Sequence, residues 1–389
     1  GCVMSEYQPG LEGVPATRSR ISYLDGKQGI LTYRGYPIVE LAENSTFEET
    51  AYLLLDGELP TAEQLERFDT QLRRHRRVKY NIREIMRSLP VTGHPMEMLQ
   101  TAVSSLGMFY PNDVPIQIRI PGDESDQYVH GQSIRILARM ATLVAMWNQM
   151  RIGNDPIPPR SDLSYAANFL YMFHNGIEPD PLVARIMDVC FILHAEHSIN
   201  ASTFAAMVTG STLATPSYVI AAAIGTLAGP LHGGANEHVI QMLQEIGTPE
   251  NARAWLDAKL AAKEVIWGMG HREYKVKDPR ATLLQKLMNE LARSRGVVSP
   301  LFETALALEE ACEETLSPKG VYPNIDYYSG ILYREIGIPT DQFTSIFAIA
   351  RTAGWLAHWR EQVSENRIFR PTQIYAGHDT RTYQPIGQR

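Results

Sequence analysis

The chain has 389 residues, beyond the size at which one hydrophobic core stops growing, so two domains are expected. Hydrophobic content of 44% and charged content of 20% are those of an ordinary globular protein, and a net charge of −7 argues against a nucleic-acid or anionic-membrane partner. The cysteines Cys2, Cys190 and Cys312 are odd in number, far apart and without metal-ligand spacing, and the N-terminus lacks the charged-then-apolar layout of a signal peptide, so a reducing, cytoplasmic setting without structural disulfides is expected.

In chain order, Ile21-Ser22-Tyr23-Leu24 and Ile30-Leu31-Thr32-Tyr33 flank Asp25-Gly26, the pattern of a small hairpin. Thr46-Phe47-Glu48-Glu49 and Thr61-Ala62-Glu63-Gln64 then open helices as capping boxes, in which the hydroxyl and the carboxylate or amide each satisfy an orphan backbone N–H. The basic run Arg73-Arg74-His75-Arg76-Arg77-Val78-Lys79 reads as a solvated helix face, with a phosphate or partner contact as the alternative. Val114, Ile116, Ile118 and Ile120 alternate with Pro115, Gln117, Arg119 and Pro121, so an extended edge or loop is expected, with a subunit contact as its role. Further helices are predicted from Asp162 as cap through 173, from Asp180 through about 209, and over 216–227, 236–245, 251–262, 282–293, 300–315 and 341–361. From Ser198 to Asn236 there is no Asp, Glu, Lys or Arg; Gly210, Pro216, Gly225 and Asn200 break the run, which reads as two buried helices and not as a membrane span. No strand–helix alternation appears, and the class is all-α.

Chemistry concentrates at glycine-rich turns. Gly229-Pro-Leu-His232-Gly-Gly-Ala-Asn236 holds the one side chain of the charge-free run that titrates near neutrality. Gly268-Met-Gly-His271 is a second glycine-flanked histidine; Asp278-Pro-Arg280 and Pro323-Asn-Ile-Asp326 follow. Two imidazoles and a carboxylate are the parts for abstracting a proton next to a carbonyl, the carboxylate as base and the imidazoles holding the oxygen that gains charge. Arg280, Arg351 and Arg370 lie in apolar or turn contexts and fit a small polycarboxylate substrate, because the guanidinium fork binds carboxylates bidentately; each alone fits an interhelix ion pair as well. His194-Ala-Glu-His197 places two histidines at i, i+3 on a helix, but it lacks the i, i+4 zinc spacing and a third ligand, so no metal is expected.

The chain resembles the citrate synthase family. The matching pieces are His194-Ala-Glu-His197-Ser-Ile-Asn200-Ala-Ser-Thr, the His232 and His271 blocks (the latter through Lys275), Asp278-Pro-Arg280, Pro323-Asn-Ile-Asp326-Tyr-Tyr-Ser-Gly330 and Arg351-Thr-Ala-Gly354, with Pro9-Gly-Leu-Glu-Gly-Val14 and Gly93-His-Pro-Met96 in addition. The resemblance implies a large helical domain (1–233 and 338–389) and a small helical domain (234–337) around a cleft. It implies condensation of acetyl-CoA with oxaloacetate and hydrolysis of citryl-CoA to citrate and CoA, with acetyl-CoA as co-substrate and no permanently bound cofactor. Asp326 matches the base, His232 the donor to the thioester oxygen, and His271 the group polarising the oxaloacetate ketone. His197, Asn200, Arg280 and Arg351 match oxaloacetate-binding positions, while Met269, Lys275 and Lys277 are candidates for CoA. Arg370 matches an arginine that the family supplies from the other subunit, so a homodimer or larger homo-oligomer is implied. The 111–131 stretch reads as longer and less helical than the family pattern, and Glu273 places an acid beside the presumed CoA phosphates. 2-Methylcitrate synthase, acting on propionyl-CoA, is the alternative, since one methylene is worth only about 1–3 kcal/mol. A non-catalytic scaffold of the same fold and a metallohydrolase on His194 and His197 are the remaining readings.

Overall fold

A computed structural model describes residues 6–110 and 124–389, with side chains of the second stretch from 129 onward. Cys2 and the alternating 114–120 segment lie outside the described residues. The expected hairpin forms from β1 (Ser22–Asp25) and β2 (Ile30–Tyr33), in the register Ser22 opposite Tyr33 and Asp25 opposite Ile30, and β3 (Tyr36–Pro37) adds a short third strand. The Asp25 carboxylate accepts the N–H groups of Lys27 (3.0 Å) and Gln28 (3.1 Å), which rigidifies the connecting turn.

Helices follow: α1 (Ile38–Asn44), α2 (Phe47–Asp56), α3 (Ala62–Arg74), α4 (Tyr80–Ser88), α5 (Pro95–Phe109) and α6 (Glu124–Arg151). Thr61 and Gln64 form the full reciprocal box on α3, whereas on α2 only the Thr46 half forms, its hydroxyl accepting the Glu49 N–H. The basic run is not a uniformly solvated face: Arg73 binds Asp69 and the Ser161 carbonyl, Arg76 is buried against the Arg160 carbonyl, and Lys79 binds the Phe109 carbonyl. The described part of the 111–131 stretch, from Glu124, is the start of α6 and is helical.

Next come α7 (Tyr165–Phe173), α8 (Pro181–His194), α9 (Ala201–Ser211) and α10 (Pro216–Leu227). Ser164, not Asp162, caps α7; Asp162 is instead drawn to Arg160. The single helix expected from Asp180 to about 209 is two, because the chain breaks after His194 and restarts with Asn200 as cap. The charge-free run does supply two packed helices, α9 against α10. Then α11 (Ala235–Ile246), α12 (Ala252–Ala261), α13 (Pro279–Arg295), α14 (Pro300–Thr315) and α15 (Ile325–Glu335) pack mainly on one another. Helix α16 (Phe343–Ser364) returns through the first group of helices, touching α2, α5, α6, α8, α9 and α10, with Trp355 and Trp359 fully buried. Among the described residues no helix is long and apolar enough to cross a membrane. The all-α class holds, since the sheet has only three short strands.

Candidate active site

The chemistry-bearing side chains sit where helices begin or end. His194 is the last residue of α8, and His197 lies in the following turn, so the two do not share a helix face. Buried His194 faces the Cys190 carbonyl (2.8 Å), and burial pushes its imidazole down to about 3. Among the described residues no group of three His, Cys, Asp or Glu could hold a metal ion. Ser198 takes a left-handed φ of 61°, and Glu196, fully buried, fixes the turn by accepting the Ser198 N–H (2.9 Å) and pairing with His358 Nε2 (2.8 Å).

His232 lies in the turn between α10 and α11, where its N–H donates to the Gly229 carbonyl. Its Nε2 is 2.8 Å from the Ser202 hydroxyl and 3.2 Å from Asn200 Oδ1. Ser202 accepts the Trp355 indole N–H (3.1 Å) and lies 2.8 Å from Asn200 Oδ1, so its single proton serves either Asn200 or His232. Burial, then the charge of Arg351, pushes His232 down to about 4, so it is neutral at physiological pH.

His271 sits in the 266–278 loop that precedes α13. Its Nδ1 accepts the N–H groups of Glu273 (3.0 Å) and Tyr274 (3.3 Å). That fixes the tautomer: the proton resides on Nε2, which is left as a donor. Burial, then Arg280, pushes His271 down to about 4. The rings of His197 and His271 are 5.2 Å apart between centroids, and the Tyr274 hydroxyl lies 3.2 Å from His197 Nε2. His197 is held well below its ordinary value by burial and by Arg280 and His271.

The two arginines of this region are almost wholly buried, Arg280 at 3% and Arg351 at 2% exposure. Asp278 organises the first: it caps α13 through the Arg280 N–H (3.0 Å), binds Arg280 Nε (3.1 Å) and NH2 (3.0 Å), and accepts the Ile325 N–H at the start of α15 (3.2 Å). Burial opposes the charge of Arg280, but Asp278 raises it above its ordinary range. Arg351 donates Nε to the His194 carbonyl (2.8 Å), and burial pushes it down to about 10, still charged at neutral pH. NH1 and NH2 of Arg351 and NH1 of Arg280 have no protein hydrogen-bond partner among the described residues. Guanidinium N–H groups that two buried arginines leave without protein partners make an anion site.

Asp326 enters on the first turn of α15, its N–H held by the cap Asn324 (2.9 Å); Asn324 in turn donates its amide to the Gly270 carbonyl (2.7 Å). The Asp326 carboxylate accepts no hydrogen bond from the described residues, and burial raises it to about 6 against the pull of Arg280 and Arg351. The electrostatic influence of these arginines therefore reaches His197, His232, His271 and Asp326, and the expected polar set occupies one neighbourhood.

Other expected residues lie differently. Met269 is half-buried and bridges to Pro323. Lys275 is exposed, but Lys277 is bound to Gln285 (2.9 Å) and Glu309 (2.5 Å), so its charge is already matched within the chain. Arg370 is exposed in the C-terminal segment and donates to the carbonyl of Pro371. Ser202, Trp355 and Tyr274 join the site without having been singled out as site residues in the sequence, and Glu196, weighed there only within the His194–His197 pattern, joins it by holding the turn.

Comparison with known proteins agrees. The family model for the citrate synthase C-terminal domain matches residues 10–372. The chain is 58% identical to citrate synthase of Acidithiobacillus ferridurans over 387 residues (98% of each chain) and 52% identical to that of Synechocystis sp. over 383 residues (98% of this chain, 94% of the relative). Its fold is similar to the crystal structure of citrate synthase from Pyrobaculum aerophilum, with a TM-score of 0.92 at 39% identity, covering 98% of this chain and 95% of that one. It is also similar to a ternary complex of the Thermoplasma acidophilum enzyme with carboxymethyl coenzyme A and oxaloacetate, with a TM-score of 0.89 at 31% identity, covering 99% of this chain and 100% of that one. Matched along nearly its whole length in sequence and in fold, this chain belongs to the citrate synthase family.

Proposed function

We propose that the family reaction, condensation of acetyl-CoA with oxaloacetate followed by hydrolysis of citryl-CoA to citrate and CoA, runs here on His232, His271 and Asp326. The carrying observation is the pair of buried arginines with unpartnered N–H donors beside two neutral imidazoles. Arg280 and Arg351 bind the oxaloacetate carboxylates, with His197 and Asn200 beside them. The His271 Nε2–H donates to the ketone oxygen. Asp326 removes a methyl proton from acetyl-CoA. The neutral His232 imidazole donates to the thioester oxygen as the enol forms. The methyl carbon then bonds the ketone carbon, the ketone oxygen takes up a proton, and water cleaves the thioester to release CoA and citrate. Neutral imidazoles suit this role, because a cationic pair beside two arginines would repel itself.

The 234–337 segment acts as the small domain and closes over the cleft, excluding water before the thioester forms. A fall in the radius of gyration on adding oxaloacetate is the expected sign; an unchanged value would count against closure. Arg370 reaches the site of a second copy, so the enzyme works as a homodimer or larger. Mixing Arg370→Ala with Asp326→Ala subunits then restores part of the activity, and verified mixed dimers without activity would refute sharing. Met269 and Lys275 contribute to CoA binding. The test of the reaction is thiol release with oxaloacetate and acetyl-CoA or propionyl-CoA. Preference for acetyl-CoA is expected; no observation favours the propionyl-CoA alternative, and faster release from propionyl-CoA would reverse the assignment.

A further inference from the structure

The N-terminal hairpin touches both histidine-bearing segments, one at each end. At its base, Ser22 and Tyr33 are paired in register across the two strands. The Ser22 hydroxyl donates to the Glu196 carboxylate (2.5 Å) and accepts the Ser198 N–H (3.1 Å). The Tyr33 hydroxyl donates to the Ile192 carbonyl (2.9 Å) and accepts the Glu196 N–H (3.3 Å). The hairpin base thus grips the turn on both sides of His197.

At the tip, the Gly26 carbonyl accepts the Lys275 N–H (2.8 Å). The contact is backbone on backbone: a Cβ on Gly26 would lie 1.5 Å from the Glu273 carbonyl oxygen and 2.2 Å from its carbon. Gly29, at φ +67°, lies against Val276, where a Cβ would be 2.6 Å from Cγ2. The Glu273 N–H is also one of the two donors that hold His271 Nδ1. The hairpin tip therefore bears directly on the loop that orients His271. Between the two grips runs a strand of four residues stiffened by its partner strand and by the Asp25 turn.

We propose that this hairpin is a strut that sets the spacing of His197 and His271, with Ser22 and Gly26 as positioning residues at its two ends. Neither touches the reacting atoms. Each acts through a histidine that binds oxaloacetate in the proposed function, on which this inference rests. Removing either contact frees one imidazole relative to the other, and the oxaloacetate site loses its preset geometry.

The test is the oxaloacetate Kd of the full-length protein by calorimetry, beside kcat/KM and the melting temperature without ligand. Ser22→Ala weakens oxaloacetate by about tenfold or more, the scale of a lost hydrogen bond to a charged group, and Gly26→Ala does as much by driving its Cβ into the Glu273 carbonyl. Ser22→Thr, which keeps the hydroxyl, returns to within about twofold. A merely structural role lowers the melting temperature and leaves Kd unchanged in the folded protein. Should Gly26→Ala not fold, Gly29→Ala tests the same end with the same expectation. A Kd within about twofold of the parent at either end, or no recovery in Ser22→Thr, overturns the strut. If the parent neither binds oxaloacetate nor releases CoA, the functional reading falls and takes the strut with it; an active parent with unaffected variants defeats the strut alone.

Discussion

His197 and His271 lie within van der Waals reach of the same space, yet the regions that carry them are built on opposite principles. The first region, from α8 through the His232 turn and across to Arg351, is a floor of buried helices, free of Asp, Glu, Lys and Arg from Ser198 to Asn236 and crossed by α16. There the polar groups are few and fixed: Arg351 on the His194 carbonyl, Glu196 on His358, Ser202 between Trp355 and His232. The second region, the 266–278 loop, has positive φ at Gly268 and Gly270, exposed side chains at Arg272, Glu273 and Lys275, and a histidine oriented by its own loop's backbone. A floor of this kind keeps Arg351 out of water, whereas the loop presents His271 from a backbone that the N-terminal hairpin holds. The site needs both, because a buried cation strengthens anion binding and an imidazole held in one tautomer aims its donor.

The largest effect expected is at Asp326, whose raised carboxyl feels the charges of both Arg280 and Arg351. Asp326→Asn lowers kcat by about 10²–10⁴-fold, the scale of general base catalysis. The same change stabilises the protein at pH 7. Burial raises the Asp326 carboxyl from 3.8 to about 6, so the folded state binds this proton more tightly than the unfolded chain does, and stability from this group is lost as pH rises from about 4 to about 6. Asparagine removes that loss, a gain on the order of 1–2 kcal/mol after allowance for its partial exposure. Thermal melts at pH 7 check it; a less stable Asn variant would mean that the ionised carboxylate is held by favourable contacts.

Next in size is the floor itself. Arg351→Lys weakens oxaloacetate by about 10–100-fold, since lysine keeps the charge but not the fork that binds the His194 carbonyl and leaves two donors over. Calorimetry checks this, and affinity within twofold of the parent would remove the floor from substrate binding. The pH profile separates the two regions at smaller scale. His232 and His271, both at about 4, are already neutral above pH 5, so Asp326 alone governs the acid limb. On that limb kcat/KM falls about tenfold per pH unit below about 6, because protonation removes the base. A limb centred near 4 would shift the assignment from Asp326 to an imidazole.

How much was legible in the sequence follows the same division. Several local rules decide in agreement with the structure: Asp25-Gly26 turns the hairpin, Thr61 and Gln64 cap α3, and Pro300 opens a helix ending at Thr315, while the Thr46 box forms only by half. Misplaced boundaries came from competing caps and from tertiary ties. Ser164 outcompetes Asp162, which is held by Arg160, and α8 stops at His194 because the next residues are claimed by Tyr33, Ser22 and His358. The glycine-flanked histidines and Asp326 were visible as residues with chemistry in an unusual setting. Their partners were not: Ser202, Trp355 and Tyr274 are ordinary residues, and the ties that bring them to the site span 30 positions for Ser202–His232, 153 for Trp355–Ser202 and 77 for Tyr274–His197. Periodicity and capping are short-range signals, and they carry nothing across such separations.

The smallest effect expected lies within the loop, where two lysines two residues apart looked equivalent by charge. The structure separates them. Lys277 is tied to Glu309 and Gln285 at half-buried positions and lies 5.8 Å from the Tyr328 ring centroid, while the Lys275 ammonium extends into solvent with one long contact to the Arg272 carbonyl (3.4 Å). A lysine already neutralised by a carboxylate offers little to a phosphate. Lys275→Ala therefore raises the KM for acetyl-CoA about threefold without changing the melting temperature, as expected for an exposed, screened charge contact. Lys277→Ala instead costs about 1 kcal/mol of stability and leaves that KM unchanged, because it strands Glu309 beside Tyr328. Parallel kinetics and thermal melts on the two variants decide the matter: the reverse pattern would show that the Lys277–Glu309 pair opens when CoA binds, and the loop would then be more mobile than the floor by a whole ion pair.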